Sequence, residues 1–342
     1  MKILFFTRLF YPHIGGVEKH ILEISRILLK KGYSVVVVAE RNDPNIKSEE
    51  ILEGIQIHRI NVGRNVWFKK FRIWKWLFEN KYLIKEADVI HCHDVFFWYL
   101  PFRFLYRFKK VFTTFHGYES YPVTKRAIVV RRISEKLSKG NLCIGDFIKK
   151  WYGTKPTYVS YGGVKTSNMK MQNPVRISEM SAVFIGRLDE QTGIKTYVEA
   201  VKLIRNKIPD FKFEVVGDGR LSQEINKYFR VLGFKDNPEK FLLKHNFAFV
   251  SRYLSILEAM AAKKLVFAVF DNPIKEDYLK LSPFAKHIII SRSAKEISEK
   301  VLFYLKNFSD KDRKVKEAFK FAKNQSWGNV VDIYQKLWGI NL

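Results

Sequence analysis

Several short runs place chemistry-bearing residues directly after apolar, strand-like segments. Pro12-His13-Ile14-Gly15-Gly16-Val17-Glu18 follows the apolar run Lys2 to Thr7 and leads into a segment of helical spacing. The paired glycines Gly15 and Gly16 let backbone come close to a ligand. A helix starting there offers N–H groups and a positive dipole end to a phosphate or sugar oxygen. Phe115-His116-Gly117 closes the run Val111 to Phe115. A histidine at such a strand end can donate to a sugar hydroxyl or meet a developing charge. His91 and His93 read instead as strand-end packing.

The second half repeats the arrangement. Gly186-Arg187-Leu188 follows Ala182 to Ile185, and an arginine there can fork two hydrogen bonds onto a diphosphate. Gly217-Asp218-Gly219 forms a tight turn after Phe211 to Val216. The junction Ser251-Arg252-Tyr253-Leu254-Ser255 starts a helix whose first turn can bind phosphate. Glu258 lies about one turn inside, where a carboxylate can take both hydroxyls of a ribose. Its neighbours Ile256, Leu257, Ala259 and Met260 make that helix apolar nearly all round, which argues against a merely solvated glutamate.

The elements that must position these residues alternate regularly. Lys2 to Thr7 is a strand, Val17 to Lys31 a helix ended by Gly32, and Ser34 to Ala39 a valine run buried on both faces. That is a parallel βαβ unit. Strands are predicted at 89–91, 111–115, 142–144 and 156–159, with a helix from Asp146 to Tyr152. Lys165 to Val175 is polar and irregular and reads as a linker. The pattern then restarts: strands at 182–185, 211–216, 247–250, 265–269 and 287–290, helices at 193–207, 221–232, 254–263 and 294–305, and a closing amphipathic helix, Trp327 to Trp338. The expected fold class is α/β, two Rossmann-like, doubly wound parallel-sheet domains facing a central cleft. The expected boundaries are 1–165, 166–325 and a terminal segment 326–342. Ligands in such folds bind at the carboxyl ends of the strands.

Composition narrows the function. The chain has 342 residues, more than one core usually serves. Its two cysteines, Cys92 and Cys143, fit a reducing compartment better than a disulfide-stapled secreted fold. The opening apolar run is too short for a signal peptide, and no stretch is long and apolar enough to span a membrane. Neither G-x-G-x-x-G nor G-x-x-x-x-G-K-[ST] occurs, which argues against nicotinamide enzymes and P-loop ATPases. No metal-ligand spacing is present. The net charge of +27 implies an anionic partner. Without a recognition motif, charge alone is weak ground for nucleic-acid binding.

Together these motifs resemble the retaining GT-B glycosyltransferases of glycosyltransferase family 4 (glycosyl transferases group 1), nearly end to end. Pro12-x-x-Gly15-Gly16-x-Glu18 resembles the family's opening glycine loop, and Asp88-Val89-Ile90-His91-Cys92-His93 its D-V-I-H-x-H strand. Thr114-Phe115-His116 resembles the strand end bearing the active-site histidine, and Gly186-Arg187-Leu188 the start of G-R-L-x-x-x-K-G. Val216-Gly217-Asp218-Gly219 resembles V-G-D-G. Leu257-Glu258-Ala259-Met260-Ala261 resembles the helix holding the second glutamate of E-x7-E. Trp327 to Trp338 resembles a closing helix that crosses back to the first domain. The resemblance implies transfer of a sugar, with retention, from a UDP-, GDP- or ADP-sugar and without a metal or other cofactor. The first domain would take a glycan or lipid-linked acceptor, the second the donor, in cell-envelope polysaccharide or glycolipid synthesis. His116 would contact the donor sugar, Arg187 and the helix start near Leu254 the diphosphate, and Glu258 the ribose. The donor set is then Gly15, Gly16, Gly186, Arg187, Gly217, Asp218, Ser251, Tyr253, Leu254, Ser255 and Glu258. Two departures stand out. The first glutamate of E-x7-E and its glycines are missing ahead of Tyr253, and Thr192 stands where a lysine is usual. Lys195 or Arg252 could compensate. The alternative is a decayed relative acting as a binding or scaffold protein.

The basic excess is concentrated at 61–140, with 17 basic and 6 acidic residues, and aromatics crowd the same stretch. Trp67, Lys69, Lys70, Arg72, Trp76, Arg103, Arg107, Lys109, Lys110, Arg131 and Arg132 suit an anionic membrane surface, with rings at the headgroups and cations on phosphates. The expected location is cytoplasmic, peripheral on the inner face of the membrane. The competing reading makes Trp67, Phe71, Trp74 and Phe78 one helical core stripe.

Overall fold

The computed structural model describes residues 1–340 except 64–66, 166–177 and 236. It forms two compact units: Met1–Ser160 with Trp327–Leu342, and Tyr161–Ser326. The stretch read as a linker lies almost wholly outside the described residues.

The first unit is built on an eight-stranded sheet: β1 (Lys2–Thr7), β2 (Ser34–Glu40), β3 (Glu49–Leu52), β4 (Ile55–Ile60), β5 (Val89–His93), β6 (Lys110–Phe115), β7 (Gly140–Ile144) and β8 (Tyr158–Ser160). The spatial order is β3-β4-β2-β1-β5-β6-β7-β8, parallel except for the β3–β4 hairpin. Val35 to Val38 are fully buried, as a central parallel strand demands. Strand order reverses between β1 and β5, which pair in register from Ile3 with Val89 to Thr7 with His93. That crevice is where such a sheet leaves room for a ligand. The helix Gly16–Lys30 follows β1 and buries Ile21, Ile24 and Leu28, three residues of its expected apolar face.

The second unit carries five parallel strands, β9 (Ser178–Ile185), β10 (Lys212–Val216), β11 (His245–Phe249), β12 (Leu265–Val269) and β13 (Ile289–Ser291), in the order β10-β9-β11-β12-β13. Its reversal point lies between β9 and β11. Its core gathers Phe184, Tyr197, Phe247 and Phe267.

The helix expected over 221–232 is only Ser222–Asn226. The Asn226 side chain accepts from the Val231 amide, taking a backbone donor that a continuing helix would use itself. The chain then bridges back along β10 through Val231 and Gly233. The last helix, Trp327–Trp338, belongs to the first unit, with Trp327, Tyr334 and Trp338 buried.

Candidate active site

In the first unit the loop after β1 reaches the helix Gly16–Lys30 through an extended Gly15. A Cβ on Gly15 would stand 2.5 Å from a Glu18 carboxylate oxygen, so a larger residue there would push the Glu18 side chain aside. Glu18 in turn pairs with His13 at 3.3 Å. Arg59, buried on β4, donates to the Tyr11 carbonyl and anchors the loop from below.

Beside this loop four histidine rings meet. His93 Nδ1 lies 2.8 Å from His116 Nε2, and the His20 ring meets the His116 ring edge-on at 5.0 Å. His91 hydrogen-bonds Thr114 at 2.7 Å and accepts from the Trp338 indole at 3.0 Å. Tyr334 bridges Thr114 and His20, each at 2.9 Å. Desolvation holds every ring neutral. It lowers His20 to about 3 and, with neighbouring rings, keeps His91, His93 and His116 well below the usual histidine value. Asp94, in a left-handed turn after β5, accepts from the His116 amide at 3.2 Å and fixes that strand end. His91 and His93 therefore do more than pack, and His20, Tyr334 and Trp338 join a site that sequence reading centred on His116 alone. Among the described residues no group of three or more His, Cys, Asp and Glu has metal-holding geometry.

In the second unit the turns after β9 and β10 lie backbone against backbone. Leu188 donates to the Asp218 carbonyl, and Gly186 to that of Val216. Gly217, at φ +142°, would put a Cβ 1.9 Å from the Gly186 oxygen; Gly219, at φ +154°, would put one 2.6 Å from the Leu188 oxygen. Both positions must be glycine. The approach leaves an open cleft of about 380 Å³ lined by Arg187, Asp189, Gln191, Gly219 and Arg220. The side chains of Arg187 and Arg220 are 60% and 70% exposed, and each is paired with a carboxylate, Asp189 at 3.2 Å and Glu190 respectively. Arg220 and Gln191 were missed in the sequence, although Arg220 directly follows the glycine turn. The Asp218 carboxylate turns back onto its own loop, where the Ser222 hydroxyl and Gly219 amide lower its pKa.

The two departures have structural accounts. Thr192 is buried, its hydroxyl 2.8 Å and 2.7 Å from the carbonyls of Arg187 and Asp189, so it ties the arginine turn together. Lys195 pairs with Glu224 and does not line the cleft, while Arg252 reaches Gln191 at 2.6 Å. Under the shortened Ser251–Tyr253 loop lies Lys275, which sequence reading did not single out. Its buried amino group donates to the Ser251 carbonyl and sits 4.2 Å from the centre of the Tyr278 ring, and desolvation holds it well below the usual lysine value.

Ser251 and Tyr253, expected to face a ligand, are corrected by this arrangement. The Ser251 hydroxyl bonds Tyr197 at 2.6 Å, and Tyr253 stacks on Tyr278 at 3.8 Å with its amide donating to the Tyr278 hydroxyl. Both side chains are buried, held by these contacts with Tyr197 and Tyr278. Leu254 and Ser255 are half-buried in the first turn of the helix Tyr253–Ala261, and Glu258 is buried one turn on.

Residues 14–167 match the family described as Glycosyltransferase Family 4, and residues 179–307 the one described as Glycosyl transferases group 1, together more than four fifths of the chain. The chain belongs to the GT-B glycosyltransferases of group 1. Its relatives include an uncharacterised glycosyltransferase of Methanocaldococcus jannaschii, 21% identical over 99% of this chain and 98% of that one. A phosphatidyl-myo-inositol mannosyltransferase of Mycobacterium tuberculosis is 22% identical over 66% of this chain and 64% of its own. Among solved structures, sucrose-phosphate synthase of Thermosynechococcus elongatus superposes with a TM-score of 0.76 at 14% identity, covering 99% of both chains. An Anabaena protein solved with UDP and glucose gives 0.71 at 13% identity, over 98% of each.

The glycosyltransferase carries its aromatic, basic region on the first unit, and the core-stripe reading fails. Trp67 is 86% exposed, Phe71 and Phe78 are exposed, and the helix Lys69–Glu79 buries Ile73 and Leu77 instead. Lys70, Arg72, Arg107, Lys110 and Arg132 are exposed. Trp76 is half-buried. Lys69 pairs with Glu40 at 2.7 Å, and Arg103 and Lys109 are half-buried with their heads on backbone carbonyls. Arg131 is a correction: it is buried and belongs to no surface. Its guanidinium lies 3.8 Å from the Tyr152 ring centre and donates to the Gly117 carbonyl and to Glu119. No helix among the described residues is long and apolar enough to cross a membrane.

Proposed function

We propose that this glycosyltransferase moves a sugar, with retention of configuration, from a nucleoside-diphosphate sugar to a glycan or lipid-linked acceptor in cell-envelope polysaccharide or glycolipid synthesis. The observation that carries the reading is the pair of exposed guanidinium groups, Arg187 and Arg220, on one cleft at the carboxyl ends of β9 and β10. Planar forks of this kind match the oxygens of a diphosphate, on which charge builds as the sugar departs. The second unit holds the nucleotide, with Glu258 toward the ribose; His116 of the first unit contacts a sugar hydroxyl. The guanidinium groups supply the positive charge, so transfer needs no metal and chelation leaves the rate unchanged. Incubation with UDP-, GDP- and ADP-sugars tests the reading. Transfer with the anomeric configuration kept, read by proton NMR, supports it. Nucleotide binding without transfer to any acceptor points to the decayed relative, and an inverted product removes the retaining mechanism.

A lipid-side acceptor is supported by Trp67, Phe104 and Phe108, all at least 70% exposed among the cations of the first unit. The mannosyltransferase relative is named for a phosphatidyl-inositol substrate. Two buried free cysteines fit a reducing, cytoplasmic setting at the inner membrane face. Pelleting with acidic liposomes, lost on raising salt, is expected; no pelleting at low salt would remove the membrane from the proposal.

A further inference from the structure

The histidine cluster of the first unit has a proton order that can be deduced from donors and acceptors alone. The Trp338 indole can only donate, so His91 Nδ1, 3.0 Å away, is an acceptor without a proton. A neutral His91 then carries its proton on Nε2 and donates to Thr114 Oγ1 at 2.7 Å. Thr114 is fully buried. Among the described residues its hydroxyl proton reaches an acceptor only by pointing at Tyr334, 2.9 Å away. Tyr334 then donates to His20 Nε2, also 2.9 Å away. The opposite direction would leave the Thr114 proton without a partner among these bonds, at the cost of a buried unmade hydrogen bond. His20 is therefore left with its proton on Nδ1.

A second branch ends on His116. His93 shares one hydrogen bond with it, Nδ1 to Nε2 at 2.8 Å, and His93 Nε2 is buried with no hydrogen-bond partner among the described residues. If His116 were the donor, that orphan atom would be a buried N–H, which proteins tolerate less readily than an unmet acceptor. His93 is therefore the donor, and the proton of His116 sits on Nδ1.

We infer that Tyr334, Trp338 and His93 are positioning residues that fix His20 and His116 as Nδ1–H tautomers. His116 then meets its substrate as a hydrogen-bond donor and not as a proton-abstracting base. This rests on the proposed transferase reading for its consequence, but the proton order does not. In that reading a ring held as a donor can hydrogen-bond a sugar hydroxyl throughout the reaction, with no proton transferred to the protein.

Long-range proton–nitrogen NMR on the full chain with 15N-labelled histidine reads each tautomer directly. Protonated Nδ1 is expected for His20 and His116, and protonated Nε2 for His91. In Tyr334→Phe, His20 loses its donor and becomes a tautomer mixture, while His116 keeps Nδ1–H. The kcat for sugar transfer then falls about fivefold to tenfold, with KM for the donor within about twofold. Should Tyr334→Phe fail to fold, Thr114→Val breaks the same chain with a side chain of nearly equal shape. Protonated Nε2 on His116 or His20 in the native protein overturns the inference even if the enzyme is fully active. An inactive protein with the assigned tautomers overturns only the transferase reading.

Discussion

Both units place their candidate residues at the carboxyl ends of their strands and equip them oppositely. In the first, the crevice between β1 and β5 holds neutral rings, enclosed by aromatic neighbours and linked by directed hydrogen bonds. In the second, the loops beyond β9 and β10 hold exposed arginines, each already tied to a carboxylate. Burial makes the first site a device for orientation, since a low-dielectric network locks donors and acceptors in place. Exposure makes the second a device for capturing charge, with carboxylates that a phosphate can displace.

Breaking the charged side should have the largest effect. Arg187→Ala is expected to lower kcat/KM by about 10² to 10³, the range for losing one donor to developing charge, while the histidine tautomers stay as they are. A loss of less than about threefold would mean that Arg187 does not meet the diphosphate. Gly217→Ala attacks the same cleft through its backbone. Its left-handed φ and the Gly186 oxygen 1.9 Å from the new Cβ leave no room. A stability loss of about 3 kcal/mol is expected by denaturant melting, and an unchanged midpoint would show that the two turns part easily.

On the buried side the lever is pH. His20, His91, His93 and His116 are packed against one another, Tyr334, Thr114, Trp338, Asp94 and Arg131, and their folded pKa values are lowered. Below about pH 6.5 the unfolded chain takes up protons that the folded rings refuse. Stability is therefore whole above that pH and falls as pH drops, by up to about 1.4 kcal/mol per unit for each ring. Melting temperatures that hold flat from pH 7 to pH 5 would contradict neutral rings. His116→Gln should make the decline shallower.

Much of this contrast was legible in the sequence, because valine runs and strand-end glycines are local signals. Ser34 to Ala39 could only be a doubly buried strand, and the glycines after β10 announced their turn. The hairpin of β3 and β4 was not legible. Its first strand, Glu49-Glu50-Ile51-Leu52, opens on two carboxylates and leaves Ile51 exposed, so no alternation marks it. Arg131 looked like half of a surface pair, since nothing nearby in sequence reveals that its guanidinium stacks on Tyr152. The tyrosine that orders His20 lies 314 residues away. Partnerships across that span are made by the fold, and no local pattern encodes them.

The smallest expected effect sharpens the comparison most. Arg220 and Glu190 form an ion pair whose side chains are 70% and 51% exposed. Water screens such a pair, and ordering two long side chains offsets what attraction remains. Glu190→Gln keeps the shape and removes the charge that competes with an incoming diphosphate. UDP or GDP affinity, by calorimetry, should therefore tighten by less than about threefold, and the gain should vanish in high salt. Tyr334→Phe changes no charge at all, yet is expected to cost more in rate than Glu190→Gln alters in affinity, because its hydrogen bonds are buried. If Glu190→Gln instead weakens nucleotide binding by more than tenfold, the carboxylate holds the ligand or the cleft itself. The second unit would then depend on a rigid network as the first does, and the division between orienting and charge-capturing sites would fail.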